Sequence, residues 1–219
     1  SRARRVQYTV RESAVTGLDD RLQSRFDHVD LEIESRHNDK LRTGIDNAVE
    51  VLDAPFLLPG GVPVPAGRHE FVRGYTELET ASNRKLWGKW RVTCCDYFAG
   101  RSLESSIELN YFPSPRFNVS FKHRLQPIRL PTGRTSIHIE SLTTTLNFNP
   151  DMKLIGEWQY DNVSRRFSGS VRYRWEPRPT SELLVTLGET ATLSGQIPHA
   201  VYRSLGTVVA VRFGHRWQY

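Results

Sequence analysis

In the run "SIHIE", Ser136, His138 and Glu140 supply a nucleophile, a base and an acid on one face. Acyl-transfer chemistry needs such groups within hydrogen-bond reach, about 2.6–3.2 Å. Residues two apart on an extended strand are separated by about 6.5–7 Å. The order suits a triad, but the spacing suits a polar ladder. The seven histidines form no H-E-x-x-H pair or other metal-ligand spacing, and the glycines form no phosphate loop. No catalytic residue, metal site or cofactor is expected. Cys94 and Cys95 are adjacent. Neighbours on a strand point to opposite faces, so a mutual disulfide or shared metal site is not expected. Two Asn-x-Ser sequons start at Asn118 and Asn162, and the first lies within an apparent strand, which argues against a glycosylated loop.

Charge is the remaining chemical signal. "DLEIES" places Asp30, Glu32 and Glu34 on one face, and "ELET" repeats the pattern. Glu108 and Glu157 are expected to face the same space as Lys122, Arg124, Lys153, Arg172, Arg174, Arg212 and Arg216. In a narrow enclosure these charges pair and fill the interior. In a wider one, basic groups bias passage toward anions.

The elements that would hold these side chains read as strands. "RFNVSFKHRL" sets Phe117, Val119, Phe121 and Leu125 against Asn118, Ser120, Lys122 and Arg124. "RFSGSVRYRW" sets Phe167, Val171, Tyr173 and Trp175 against Ser168, Ser170, Arg172 and Arg174. Similar alternation recurs in "RRVQYTVRE", "HVDLEIES", "SIELNY", "SLTTTLNFN" and "MKLIGEWQY". Short turn signals such as "LPTGR", "NPD" and "DNVSR" separate the runs and predict an up-and-down antiparallel meander. "LDAPFLLPGGVPVPAGRHEF" and "GETATLSGQIPHAVYRSLG" break the rhythm and read as longer loops at one rim. No helical periodicity and no second domain are evident.

The chain has 219 residues, a 38% hydrophobic share and a mean hydropathy of −0.50. It contains no apolar run of about 18 residues, the length that marks a transmembrane helix. "SRARRVQYTV" lacks the apolar core of a signal peptide, so either processing has removed one or, as the favoured expectation, the numbering begins partway into a longer protein. A net charge of +6 and a pI near 9.5 raise nucleic acid as a partner. The basic residues are dispersed, however, and in "RYRW" they face away from the aromatics, so no stacking platform forms. Nucleic-acid binding is not expected.

Two all-β architectures fit an alternating meander: a soluble barrel or sandwich with apolar residues inside, and a membrane barrel with them outside. Long strands favour the membrane version, since a tilted crossing takes about 9–11 residues. So does the placement of Tyr111, Trp158, Tyr160, Tyr173, Trp175, Trp217 and Tyr219 at strand ends, as in interfacial aromatic belts. The third favouring feature is a polar face that mixes Arg, Lys and Glu with Ser, Thr and Asn. The expectation is one all-β domain over residues 1–219, an antiparallel up-and-down transmembrane β-barrel of about twelve strands, with ten or fourteen as alternatives. In hydrocarbon the first and last strands must be paired, with each other or with strands outside the chain, because an unpaired backbone group there costs several kcal/mol.

The final residues, "RFGHRWQY", resemble the C-terminal assembly signal of bacterial outer-membrane β-barrels at Arg212, Gly214, Trp217 and Tyr219. The resemblance implies recognition by the barrel-assembly machinery and a place in the outer membrane. A tyrosine ends the run where phenylalanine is commonest. Residues 45–190, above all "EWQYDNVSRRFSGSVRYRWEPRP", resemble the barrel of an uncharacterised outer-membrane family. Members of that family carry an upstream module similar to carbohydrate-binding family 9. Their barrels are longer, which implies either a C-terminal part or a shortened relative. The resemblance supplies no substrate. The leading expectation is a passive channel for small polar solutes, with the lipid bilayer and other envelope chains as partners. A filled barrel acting as anchor or complex component is the alternative, followed by an outer-membrane enzyme and a soluble ligand-binding barrel.

Overall fold

The computed structural model describes residues 3–194 and 201–217. The alternating runs become twelve long strands: β1 (Ala3–Thr16), β2 (Leu22–Ser35), β3 (Lys40–Leu52), β6 (Gly67–Glu79), β7 (Leu86–Tyr97), β8 (Gly100–Ser114), β9 (Phe117–Leu130), β10 (Gly133–Asn149), β11 (Met152–Asp161), β12 (Arg166–Arg178), β13 (Ser181–Ser194) and β14 (Val201–His215). Two short strands, β4 (Phe56–Leu58) and β5 (Val62–Val64), flank a single 3-10 turn. The long strands form one antiparallel sheet in chain order, as an up-and-down meander requires. Tight turns are helped by left-handed residues at Asp20 and Asn38, types that tolerate positive φ.

The sheet is the expected up-and-down antiparallel meander of about twelve strands. The strand order begins at β1 and ends at β14, and no ladder joins these two among the described residues. Two other expectations need correction. "GETATLSGQIPHAVYRSLG" is largely strand rather than loop: Thr192 pairs with Arg203 and Leu193 with Tyr202, leaving only residues 195–200 outside the described structure. Its small residues are compatible with pleated pairing, and neighbouring β12 provides the template. Cys94 and Cys95 are joined as a disulfide. Cys95 has a φ of 101°, and strict alternation of side chains holds only for extended backbone.

The described residues group into two compact units: the first holds β1 to β6 with residues 88–107 and 124–137, the second residues 83–87, 108–123 and the chain from 138 onward. In the first unit the usual distribution of polarity is inverted. Asp30, Glu32, Glu34, Asp46 and Glu77 are all less than a tenth exposed, whereas Val29, Ile45 and Leu78 on the opposite face are 53%, 59% and 46% exposed. The dry cluster in this unit lies where β4 and β5 fold back. Leu58, Val62 and Val64 pack with Ile128 and Leu130, flanked by Leu52, Tyr97, Phe98 and Ile137.

In the second unit the register sorts most side chains by polarity, with Ile155 opposite Arg172 and Leu184 between Arg174 and Arg212 as the exceptions. Leu142, Trp158 and Gly169 form one cross-strand row on the apolar face. The Trp158 ring covers both Gly156 and Gly169, occupying the space that a Cβ would need at either position. Aromatic cover of a strand glycine restores packing that glycine cannot supply. On β13 and β14, Leu187, Val209, Val211 and Phe213 stand on the same face and are exposed.

Ile128 is 1% exposed within the dry cluster. Truncating it to alanine removes buried carbon and leaves a cavity. Ile128→Ala is expected to destabilise the first unit by about 2–5 kcal/mol, read as a lower denaturant midpoint with an unchanged slope.

Candidate functional site

The register of the first unit stacks charged residues into cross-strand rows. Arg5, Glu34, Lys40, Glu79 and Lys89 lie opposite one another across β1, β2, β3, β6 and β7, with signs alternating at every step. The contacts follow: Arg5 Nε is 3.2 Å from Glu34, Lys40 Nζ 3.3 Å from Glu79 and Lys89 Nζ 3.1 Å from Glu79. The next row is Gln7, Glu32, Arg42, Glu77 and Arg91. Arg42 bonds Glu32 and reaches Glu77 at 3.4 Å, and Arg91 reaches the other Glu77 oxygen at 3.5 Å. Arg5 crosses between the rows to Glu32 at 2.8 Å. Desolvating a carboxylate costs several kcal/mol, and cations on both neighbouring strands offset that cost.

A third row places Arg11, His28, Asp46 and Arg73 in line. His28 Nδ1 is 2.6 Å from Asp46, and its Nε2 is 2.6 Å from Asp30. Neutral imidazole has one N–H, so only the imidazolium donates to both carboxylates. The ring stacks on Tyr75 at 5.9 Å and 10°, and the Arg91 guanidinium lies 3.7 Å from the Tyr75 ring centroid. Tyr75 reaches this position because β3 carries Gly44 beside it, where a Cβ would come within 2.8 Å of the ring and 2.7 Å of the Val29 carbonyl. A cavity of about 220 Å³ remains, lined by Gln7, Thr9, Arg11, His28, Arg42 and Arg91 among others. Among the described residues no cluster has a metal-holding arrangement. The positioned charges can order water and polar solutes; they do not form a nucleophile–base pair.

The expected lumen charges divide into paired and open groups. Lys122 lies 3.8 Å from Glu108, and Arg124 donates to Glu104 at 2.9 Å and to Gln126 at 3.1 Å. Arg174 contacts Glu176 and donates to Glu182 at 2.5 Å, and Arg212 approaches Glu182 at 3.7 Å. Lys153 sits directly opposite Arg174. Arg212, Arg216, Arg174 and Glu182 share the lining of a concavity of about 350 Å³. Glu157 and Arg172 are exposed. Glu157 faces a broader depression of about 520 Å³ floored by Ser141, Thr143, Ser168 and Ser170.

Of the assembly pattern, Arg212 and Gly214 lie on β14 and Trp217 just beyond it, 76% exposed; Tyr219 lies outside the described residues. Tyr173 and Trp175 sit at one end of β12, facing Leu154 and Met152, and Tyr160 faces Phe167 at the other end. Tyr111 on β8 is 47% exposed. In "SIHIE", Glu140 turns to His123 on β9 at 3.4 Å. His28, Arg42 and Tyr75 were not singled out by sequence pattern. The signal available for His28 was its parity with Asp30 in "HVD". That for Tyr75 was its parity with Glu77, and neither reveals which strand stands opposite. The chain matches no protein-family model, no curated protein and no solved structure.

Two substitutions probe this face. Glu77→Ala leaves Arg42 and Arg91 without their shared carboxylate, and because both arginines are about a third exposed the expected loss is about 1–3 kcal/mol. A double-mutant cycle with Arg42→Ala should recover part of it. Gly44→Ala forces Tyr75 and β2 apart, with an expected cost of about 1–3 kcal/mol and loss of the tyrosine near-ultraviolet dichroism.

Proposed function

We propose that the chain is an integral outer-membrane β-barrel protein whose polar face borders a path for small polar solutes, without catalytic activity of its own. The observation that carries the membrane part is the inversion in the first unit: five acidic side chains less than a tenth exposed on one face, and Val29, Ile45 and Leu78 roughly half exposed on the other. In water that apolar face would be costly to leave open. In hydrocarbon it is the favourable surface. The twelve long strands run from 10 to 17 residues, long enough for a tilted crossing. On β12, Phe167 and Trp175 are eight residues apart, about 27 Å along the strand and about 20 Å along the normal at a tilt of about 40°, so aromatics edge most of an apolar band's height.

The solute path is supported by the second unit, where hydroxyls and Glu157 line an open depression rather than closing on one another. Edges left by β1 and β14 need partners in a bilayer, and a barrel-assembly route matches the Arg212, Gly214, Trp217 pattern. A second reading, a filled barrel serving as anchor or complex component, draws on the first unit, where both charge rows are occupied by ion pairs.

The protein should require detergent or lipid to remain monodisperse and should show heat-modifiable mobility on gels. A monodisperse species without either would remove the membrane reading. Discrete conductance steps in planar bilayers are expected for the path. Insertion with no steps favours the anchor.

A further inference from the structure

The β3–β6 ladder runs without a break to Leu52 opposite Gly67, so these strands would need only a tight turn to connect them. Residues 53–66 intervene instead, and they do not extend away as a loop. They form the β4–β5 hairpin, with Phe56 opposite Val64 and Leu58 opposite Val62. Its apolar side is buried: Leu58 and Val62 are each 7% exposed and Val64 is 0% exposed. What it covers is the end of the polar face. On β9, Arg124, Gln126, Ile128 and Leu130 share one parity, and the face changes from charged to apolar under the hairpin. On β6 the same parity runs from Glu77 through Tyr75 and Arg73 to Phe71, and then to His69, which bonds the hairpin itself. The hairpin is fastened by polar contacts too. Thr132 Oγ1 donates to the Pro63 carbonyl at 2.7 Å, and His69 Nε2 donates to the Pro65 carbonyl at 2.9 Å. Phe98, at the turn after β7, touches Phe56 at 5.5 Å and His69 at 5.3 Å between ring centroids.

We infer that the β4–β5 hairpin of residues 53–66 is an intrinsic plug, folded onto the polar face at one strand end so that it narrows access to the charge rows beyond it. The inference rests on the solute-path reading and adds its restricting element. An apolar patch on a water-lining face would be unfavourable if left wet, and the hairpin covers it with matching carbon. Passage along that face must therefore go around the hairpin or displace it.

The test compares three full-length proteins reconstituted in planar bilayers. They are the unaltered chain, a variant in which residues 54–65 are replaced by Gly-Ser, and Val64→Glu, which keeps the hairpin's length but puts a charge at its most buried position. Heat-modifiable mobility is recorded for each. The plug predicts a several-fold rise in single-channel conductance for the replacement and for Val64→Glu, with mobility retained. Equal conductance in all inserted proteins would overturn the plug and leave the path intact. Should the replacement variant fail to insert, Val64→Glu decides by the same comparison. If the unaltered chain and both variants insert and none conducts, plug and path both fall, whereas conduction by the variants alone supports the plug most directly.

Discussion

A carboxylate removed from water must find cations close enough, and on enough sides, to replace its hydration. In the first unit that requirement is met by register. Glu79 stands between Lys40 and Lys89, and Glu77 between Arg42 and Arg91, each acid on β6 bracketed by basic residues from β3 and β7. The same backbone ladder that fixes strand order thus fixes the electrostatics, so charge pairing and topology are one constraint. Slipping β6 by a residue would turn Glu77 and Glu79 to the apolar face and bring Leu78 inward. The polar face is therefore a strong determinant of register here, a part played in most sheets by hydrophobic burial.

That constraint accounts for the distribution of small and aromatic residues around it. Gly44 clears space for Tyr75, Tyr75 stacks on His28, and His28 joins Asp30 to Asp46. In the second unit the packing logic differs. There Trp158 spreads over Gly156 and Gly169 on the apolar side, while the polar side is floored by short hydroxyl side chains. The first unit buries its paired carboxylates, and the second combines more exposed ion pairs such as Arg174 with Glu182 with an open hydroxyl-lined depression.

The sequence was informative wherever a property depends on period alone. Alternation located the strands, and a meander with short turns led to twelve of them in chain order. The acidic face of Asp30, Glu32 and Glu34 followed from parity. Properties that depend on which strand lies opposite were not legible. Arg42 looks unremarkable in "KLRTG" until β2 and β6 bring Glu32 and Glu77 to its sides. The proline- and glycine-rich stretch signalled an interruption correctly, but composition does not say whether an insertion folds outward or inward. The pairing of Cys94 with Cys95 was missed for a local reason, since parity presumes extended backbone and Cys95 departs from it. In hydrocarbon each end strand needs a partner, its opposite number or a strand outside the chain, and alternation within one strand does not say which.

The unbroken β3–β6 register has a consequence for how this chain can change over evolutionary time. Because Lys40 to Leu52 pairs residue for residue with Gly67 to Glu79, one added or deleted residue inside either strand would reverse the facing of everything beyond it. Residues 53–66 lie past the last paired position, so their number carries no phase for the long strands. Length variation should accumulate in that segment and be purged from the strands beside it, leaving the scaffold fixed while the element folded over it diversifies.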